Sequence, residues 1–301
     1  MSTETIGFIG LGVMGGPMCR NVATKHEGRV LASDLSAEAL AALSDTKVEA
    51  MSLEELARQA DVVCLSLPGG AQVEAVTARL AEAGLRKGAV VIDLSTTPVA
   101  TARKVGGKLA EHGIEFADAP VARTREAAQR GELSIMVGAS PENFARIEPI
   151  LRYMATDITH GGKIGSGQVL KLVNNMLVFE NVVTIAEMLV LGESAGVDPK
   201  VLLEAVAKGS GDSFALRNHA MKAMLPRNFP ERSFPPEYVL KDISYVFELA
   251  EQEGVPLRAA AVVRQYYEEA IKQGLGGKYF PGVIRVVEAG RARERENEPA
   301  Q

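Results

Sequence analysis

The first half of the chain alternates short apolar runs with stretches of helical period. Ile6–Ile9, Val30–Ser33, Val62–Leu67, Val90–Leu94, Glu115–Ala117 and Ser134–Val137 read as strands. Several of these runs are apolar without alternation, the mark of strands covered on both faces, so the rhythm predicts a parallel, doubly wound sheet. From about Gly167 no convincing strand follows. Val169, Leu172, Val173, Met176, Val183 and Val190 keep helical spacing from Gln168 to about Ser194, which predicts a helix of roughly 40 Å at 1.5 Å per residue. The expected organisation is an α/β domain over 1–164, an all-α C-terminal domain over 165–290 joined to it by this long interdomain helix, and a flexible charged tail over 291–301.

Composition narrows the classes of partner. A chain of 301 residues is long enough for two domains with their own cores. Its net charge of −5, with both signs interspersed, leaves no footprint for nucleic acid or an anionic membrane. The two cysteines, Cys19 and Cys64, sit inside predicted elements and read as core filler, and the four histidines are scattered without metal-ligand spacing, so no metal is expected. The N-terminus has no basic n-region, and no stretch reads as apolar for long enough to cross a bilayer, so a cytoplasmic protein without a membrane partner is expected.

Gly10-Leu11-Gly12-Val13-Met14-Gly15 follows the first strand directly and opens the first helix. That spacing lets a tight turn bring backbone N–H groups and a helix N-terminus against a pyrophosphate, and its place at the start of a βαβ unit predicts a Rossmann-type dinucleotide site. Asp34 closes the second strand, where a carboxylate accepts the adenosine ribose hydroxyls and repels a 2′-phosphate. No arginine follows it in the next few positions, which favours NAD over NADP. Leu67-Pro68 and Ser95-Thr96 lie at two further strand ends on the same expected edge. Taken singly, each of these segments also reads as an ordinary turn, strand stop or helix cap.

The strongest local signal is Gly165-Ser-Gly167-Gln-Val-Leu-Lys171-Leu-Val-Asn174-Asn175. Glycines permit close approach, and the helix that follows places Lys171, Asn174 and Asn175 on one face. On an arbitrary helix such a face is as readily a solvated stripe. An alcohol that gives hydride to a dinucleotide also needs a base for its proton, and a lysine serves when burial and a neighbouring cation lower its pKa from about 10.4.

With these segments in place the chain resembles the β-hydroxyacid dehydrogenase family, the group of 3-hydroxyisobutyrate dehydrogenase and tartronate semialdehyde reductase. Four motifs occur in order: Gly7 to Met18, Asp118-Ala-Pro-Val121, the segment ending at Asn175, and Lys241-Asp242. The resemblance covers nearly the whole chain. It implies reversible NAD-dependent oxidation of a small β-hydroxyacid to its semialdehyde, with Lys171 as general acid/base and Asn174 and Asn175 holding substrate oxygens. It also implies Lys241 near nicotinamide and substrate, Phe234 over the cleft, and Ser95 shared between cofactor and substrate. The related 6-phosphogluconate dehydrogenases carry a histidine where this chain has Asn174, which favours dehydrogenation without decarboxylation. Imine reductases of the same fold replace the helix lysine, and a non-catalytic NAD-binding scaffold would have lost it; Lys171 argues against both. Long apolar stretches such as Val182 to Leu191 imply a homodimer or homotetramer.

The chain departs from the family after Val121. Most members continue Ser-Gly-Gly, whereas this chain has Ala122-Arg123-Thr124. This loop resembles that of the sulfolactaldehyde reductase branch. The expectation is that Arg123 holds the substrate's anion by a charge-assisted contact, making a sulfonate or a longer-reach carboxylate, as in succinic semialdehyde, an alternative substrate class. The plainer alternative has Arg123 in solvent or paired with Glu126.

Overall fold

The structure, a computed structural model, describes residues 4–231 and 233–297, the side chains of 294–297 excepted. It divides into two compact units, Met1–Lys171 and Leu172–Gln301. The first contains a nine-stranded sheet: β1 (Ile6–Ile9), β2 (Val30–Ser33), β3 (Val48–Ala50), β4 (Val62–Leu65), β5 (Val90–Asp93), β6 (Glu115–Asp118), β7 (Val121–Ala122), β8 (Leu133–Gly138) and β9 (Ala155–Gly162). The order is β3-β2-β1-β4-β5-β6-β8-β7, with β9 also on β8. Seven helices connect the strands: α1 (Gly15–Lys25), α2 (Ala37–Ala41), α3 (Leu53–Ala57), α4 (Gly70–Glu82), α5 (Val99–Glu111), α6 (Arg125–Arg130) and α7 (Pro141–Leu151).

β1, β4 and β5 have every residue buried, because helices cover both sheet faces. Their side chains divide between two cores. Phe8, Val62, Cys64, Val90 and Ile92 belong to one, and Ile9, Val63, Leu65 and Val91 to the other. Cys19 and Cys64 are buried in the first of these, and burial pushes both thiols up to about 12.

From β3 to β6 the sheet is parallel as expected; beyond β6 it is mixed. β8 runs antiparallel to β6 and β7 and parallel to β9. β3, β7 and β9 have no counterpart in the sequence reading, for a physical reason in each case. β3 and β9 carry largely exposed or half-buried residues, so no apolar run marks them. β7 has only two residues and continues the same register along β8 that β6 begins. Pro120, which reads as a block to pairing, sits within that register and accepts the Met136 N–H at 3.2 Å. A proline lacks only the donor and can still accept.

Helix α8 (Ser166–Ser194) follows β9. The second unit continues with α9 (Pro199–Val206), α10 (Pro236–Gln252), α11 (Arg258–Ala270) and α12 (Ile284–Asn297), plus π-helical segments at Leu216–Met224 and Ile271–Leu275 and a 3-10 turn at Phe280–Val283. α8 passes the length and composition test for a membrane span, where the sequence reading expects no such stretch; asparagines and glutamates interrupt its apolar run and hide it. Phe179, Val182, Val183, Ala186, Leu189 and Val190 are buried in the second unit's core, each contributing on the order of 1.5–3 kcal/mol for the larger side chains. Glu187 accepts the Tyr266 hydroxyl and Glu193 pairs with Arg227. Val173, Leu177, Met188 and Leu191 are exposed along the helix.

The expected tail is described only in part. Residues 291–297 continue α12 and 298–301 lie outside the described residues. Val286 and Val287 pack on the core and start a helix that the following Arg and Glu residues, good helix formers, extend.

Candidate functional site

The parallel register places five strand ends in one row, because Ile9 pairs with Ser33 and Leu65, Leu65 with Asp93, and Asp93 with Asp118. The segments that leave these ends emerge along the sheet's carboxyl edge, where open α/β sheets bind ligands. The three glycines of the first turn do three different things there. Gly10 has φ +90°, and a Cβ on it would lie 2.2 Å from the Ser66 carbonyl oxygen. A Cβ on Gly15 would lie 2.0 Å from the Gly10 carbonyl oxygen, so helix and turn pack too closely for a side chain. At Gly12 a Cβ would meet nothing within 4 Å. The protein's own packing does not demand that glycine, but close approach of a pyrophosphate would.

Leu11 is buried, Met14 half-buried and Val13 half-exposed. α1 has Met14 at its N-cap with no side-chain cap and no acidic residue in its first turn, so the helix itself supplies no counter-charge to its positive end. The Asp34 carboxylate accepts the Leu11 N–H at 2.5 Å and the Ser36 N–H at 2.7 Å. It thereby ties the end of β2 to the glycine turn. Leu35 beside it is fully exposed. The next two strand ends are also joined: Leu67 N–H donates to Ser95 Oγ at 2.9 Å. Pro68 is exposed, Thr96 half-buried and Ser95 buried. The residues expected to hold a dinucleotide in the first unit thus share one edge, and hydrogen bonds join several of the segments that carry them.

The same edge carries the start of α8, held mainly by Asp118, Gln168 and Asp93, to which the sequence reading gives no role. Asp118 accepts the Gly165 N–H on Oδ1 at 2.6 Å and the Gln168 N–H on Oδ2 at 2.8 Å. A Cβ on Gly167 would lie 2.4 Å from the Met136 carbonyl oxygen, so the helix meets the sheet at a contact only glycine allows. Gln168, fully buried, accepts the Thr97 N–H at 3.0 Å and donates to the Ser95 carbonyl at 2.8 Å. Asp93 in turn accepts the Ser95 N–H at 2.9 Å and the Thr97 hydroxyl at 3.4 Å. Burial pushes Asp93 up to about 7 and Asp118 up to about 6, the backbone N–H groups opposing the rise at both. In the sequence Asp118 and Gln168 stand out only as members of motifs, with no role assigned, and Asp93 does not stand out. An Asp closing an apolar strand is the one signal that marks the two carboxylates.

Lys171 follows in the second turn of α8 and is 9 % exposed. Asn175 lies one turn further along and is buried, with Asn174 half-buried beside it. The second unit holds these amides through α10. Asn175 Nδ2 donates to Asp242 Oδ2 at 2.7 Å, and Asn174 Nδ2 donates to Asn175 Oδ1 at 3.1 Å. Asp242, 1 % exposed, also pairs with Lys241 Nζ at 3.2 Å. That ammonium lies over the rings of Tyr238 and Tyr245, 5.5 and 5.3 Å from their centroids. Phe234 stacks with Phe179 at 6.2 Å and meets Phe280 edge-on at 5.8 Å, joining the unit's aromatic cluster. Asp242, singled out in the sequence only as part of a motif and given no role there, accepts from Asn175 and pairs with Lys241.

Arg123 makes contacts that its sequence context does not announce. Its guanidinium donates to the Glu132 carbonyl at 2.7 Å, Thr156 Oγ1 at 2.9 Å and Asp157 Oδ2 at 2.6 Å. These partners stand in place of Glu126, and the side chain remains 38 % exposed. Asp157 lies on β9, a strand with no apolar run to announce it, so this partner is invisible in the sequence. Thr124 caps α6, its Oγ1 accepting the Ala127 N–H at 3.3 Å, and Ala122 is buried in β7.

Residues 5–162 match the family profile described as the NAD binding domain of 6-phosphogluconate dehydrogenase, and residues 165–287 match that described as NAD-binding of NADP-dependent 3-hydroxyisobutyrate dehydrogenase. The chain is 35% identical to 2-(hydroxymethyl)glutarate dehydrogenase of Eubacterium barkeri over 94% of each protein. It is 40% identical to 3-hydroxyisobutyrate dehydrogenase of Pseudomonas aeruginosa over 70% of this chain and 72% of that protein. Among solved structures, Mycobacterium tuberculosis 3-hydroxyisobutyrate dehydrogenase with L-serine superposes with a TM-score of 0.87 at 28% identity, covering 95% of this chain and 99% of that one.

Proposed function

The chain belongs to the β-hydroxyacid dehydrogenase family, and from that membership we propose that it reversibly oxidises a small β-hydroxyacid of 3-hydroxyisobutyrate type to its semialdehyde, with NAD as the hydride acceptor. The observation that carries the reading is Lys171, a buried amine on α8 one turn before an oriented asparagine. The nicotinamide supplies the hydride acceptor when bound, so the protein's own task is to place the hydroxyl and move its proton. Lys171 takes that proton during oxidation and returns it during reduction. Asn175, whose amide is locked by Asp242 and Asn174, presents a fixed dipole to the substrate oxygen, and Lys241 supplies positive charge toward the substrate anion. L-serine, the ligand named with the M. tuberculosis relative, is itself a small β-hydroxyacid.

NAD is preferred over NADP because of Asp34. Two unit charges 4 Å apart repel by about 4 kcal/mol at an effective dielectric of 20, so a 2′-phosphate beside this carboxylate is disfavoured. No arginine follows in Leu35–Ala39 to offset it. The exposed apolar residues of α8 suit a second copy of the chain, which a solution mass measurement would register as a dimer or tetramer.

The test is NADH and NADPH oxidation against a panel of semialdehydes by wild type and Lys171→Ala. The expected result is turnover with NADH preferred and a fall in kcat of about 10³-fold or more in the variant, with NADH binding by fluorescence kept. Equal kcat in both proteins removes Lys171 as the acid/base. Turnover in neither would favour a scaffold.

A further inference from the structure

Arg123 is one of two described non-glycine residues with positive φ, at 85°. A side chain in that region crowds its own backbone, so an arginine stays there only if its surroundings hold it. The surroundings are specific. On one side Ala122 is paired with Ser134 in the sheet, and on the other Thr124 caps α6, so the turn falls on Arg123 alone. The guanidinium reaches the Glu132 carbonyl just past α6 and, on β9, Thr156 Oγ1 and Asp157 Oδ2. Thr156 completes the network by donating its hydroxyl to Asp157 Oδ2 at 2.8 Å. These two hydrogen bonds, Thr156 first and Arg123 second, hold the Asp157 carboxyl below the usual carboxylate range.

We propose that Arg123 is a positioning residue: by clasping Glu132, Thr156 and Asp157 it holds the Ala122–Thr124 loop in its left-handed turn, and it does not itself grip the substrate's anion. The chain thereby keeps, with an arginine, a backbone shape that glycine adopts without strain. That this loop borders the substrate rests on the proposed function; the clasp itself does not. It follows that Arg123 does not select sulfonates over carboxylates.

The experiment compares purified wild type, Arg123→Gly, Arg123→Ala, Asp157→Ala and the double variant Arg123→Ala/Asp157→Ala, by thermal unfolding and by KM for the semialdehyde that wild type turns over best. A clasp predicts that Arg123→Ala and Asp157→Ala each raise KM by about 5-fold with kcat nearly kept, and that the double variant is no worse than either. It also predicts that Arg123→Gly raises KM less than Arg123→Ala and melts about 2–4 °C higher than it. An anion ligand predicts otherwise. Arg123→Gly and Arg123→Ala would then raise KM equally, and Asp157→Ala, which frees the guanidinium, would leave KM unchanged or lower it; that pattern overturns the proposal. If no protein in the set turns over any semialdehyde, the functional reading fails, while the melting temperatures still decide the clasp: Arg123→Gly melting no higher than Arg123→Ala, or strictly additive losses in the double variant, overturns it.

Discussion

Asp118 and Asp242 are both buried carboxylates that hold α8, and they hold it through different kinds of partner. Asp118, in the first unit, accepts two backbone N–H groups at the helix start. It fixes where α8 begins, whatever side chains the helix carries. Asp242, in the second unit, accepts the Asn175 side-chain amide and pairs with Lys241. It fixes how two candidate site groups point. The carboxylate bonded to backbone sets the start of the helix, while the one bonded to side chains sets the orientation of candidate site groups. Substitutions at three carboxylates sharpen that contrast.

The largest effect is expected at Asp242. Asp242→Ala removes the carboxylate that accepts the buried Asn175 amide and pairs with Lys241, and kcat should fall about 100-fold, equivalent to about 3 kcal/mol in the transition state. NADH affinity and KM should move little. Asp242→Asn keeps an oxygen for Asn175 but turns an N–H toward Lys241, and should fall between. A loss of melting temperature with unchanged kcat would make Asp242 a fold anchor like Asp118 and erase the distinction.

Asp118→Asn should cost stability first. Both carboxylate oxygens accept N–H groups, so an amide nitrogen placed on either side faces a donor, at a cost of about 2 kcal/mol. Denaturant unfolding would measure it. Wild-type stability in this variant would mean that α8 starts without its carboxylate.

Asp93→Asn should have the smallest effect and the clearest pH signature. Burial pushes Asp93 from 3.8 up to about 7. A carboxyl with a raised folded pKa contributes stability that is present below about pH 4 and is lost as pH rises through about 7. Asparagine removes this titration yet still accepts from Ser95 and donates to Thr97. The variant should therefore gain on wild type as pH rises from about 5 to 7, with the gain levelling off above 7. Parallel stability profiles for the two proteins would dismiss Asp93 as the titrating group.

Much of the site's outline is legible without the structure. The glycine turn, Asp34 and the helix bearing Lys171 are local patterns, each readable from a dozen residues because a tight turn or one helical face demands them. Less legible are edge strands such as β3 and β9, whose exposed residues carry no apolar signal. The antiparallel run of β8 is hidden as well, since parallel and antiparallel partners look alike in a short apolar run.

By itself the sequence determined a dinucleotide-binding turn, the order of alternating strands and helices, and one long helix with lysine and asparagines on a shared face. Tertiary structure alone decided which charges those residues meet. Asn175 meets Asp242 across 67 positions and Arg123 meets Asp157 across 34. The reason is physical: a periodicity records which face of an element is buried, whereas a hydrogen-bond partner brought from a distant segment is fixed only when the whole chain has packed.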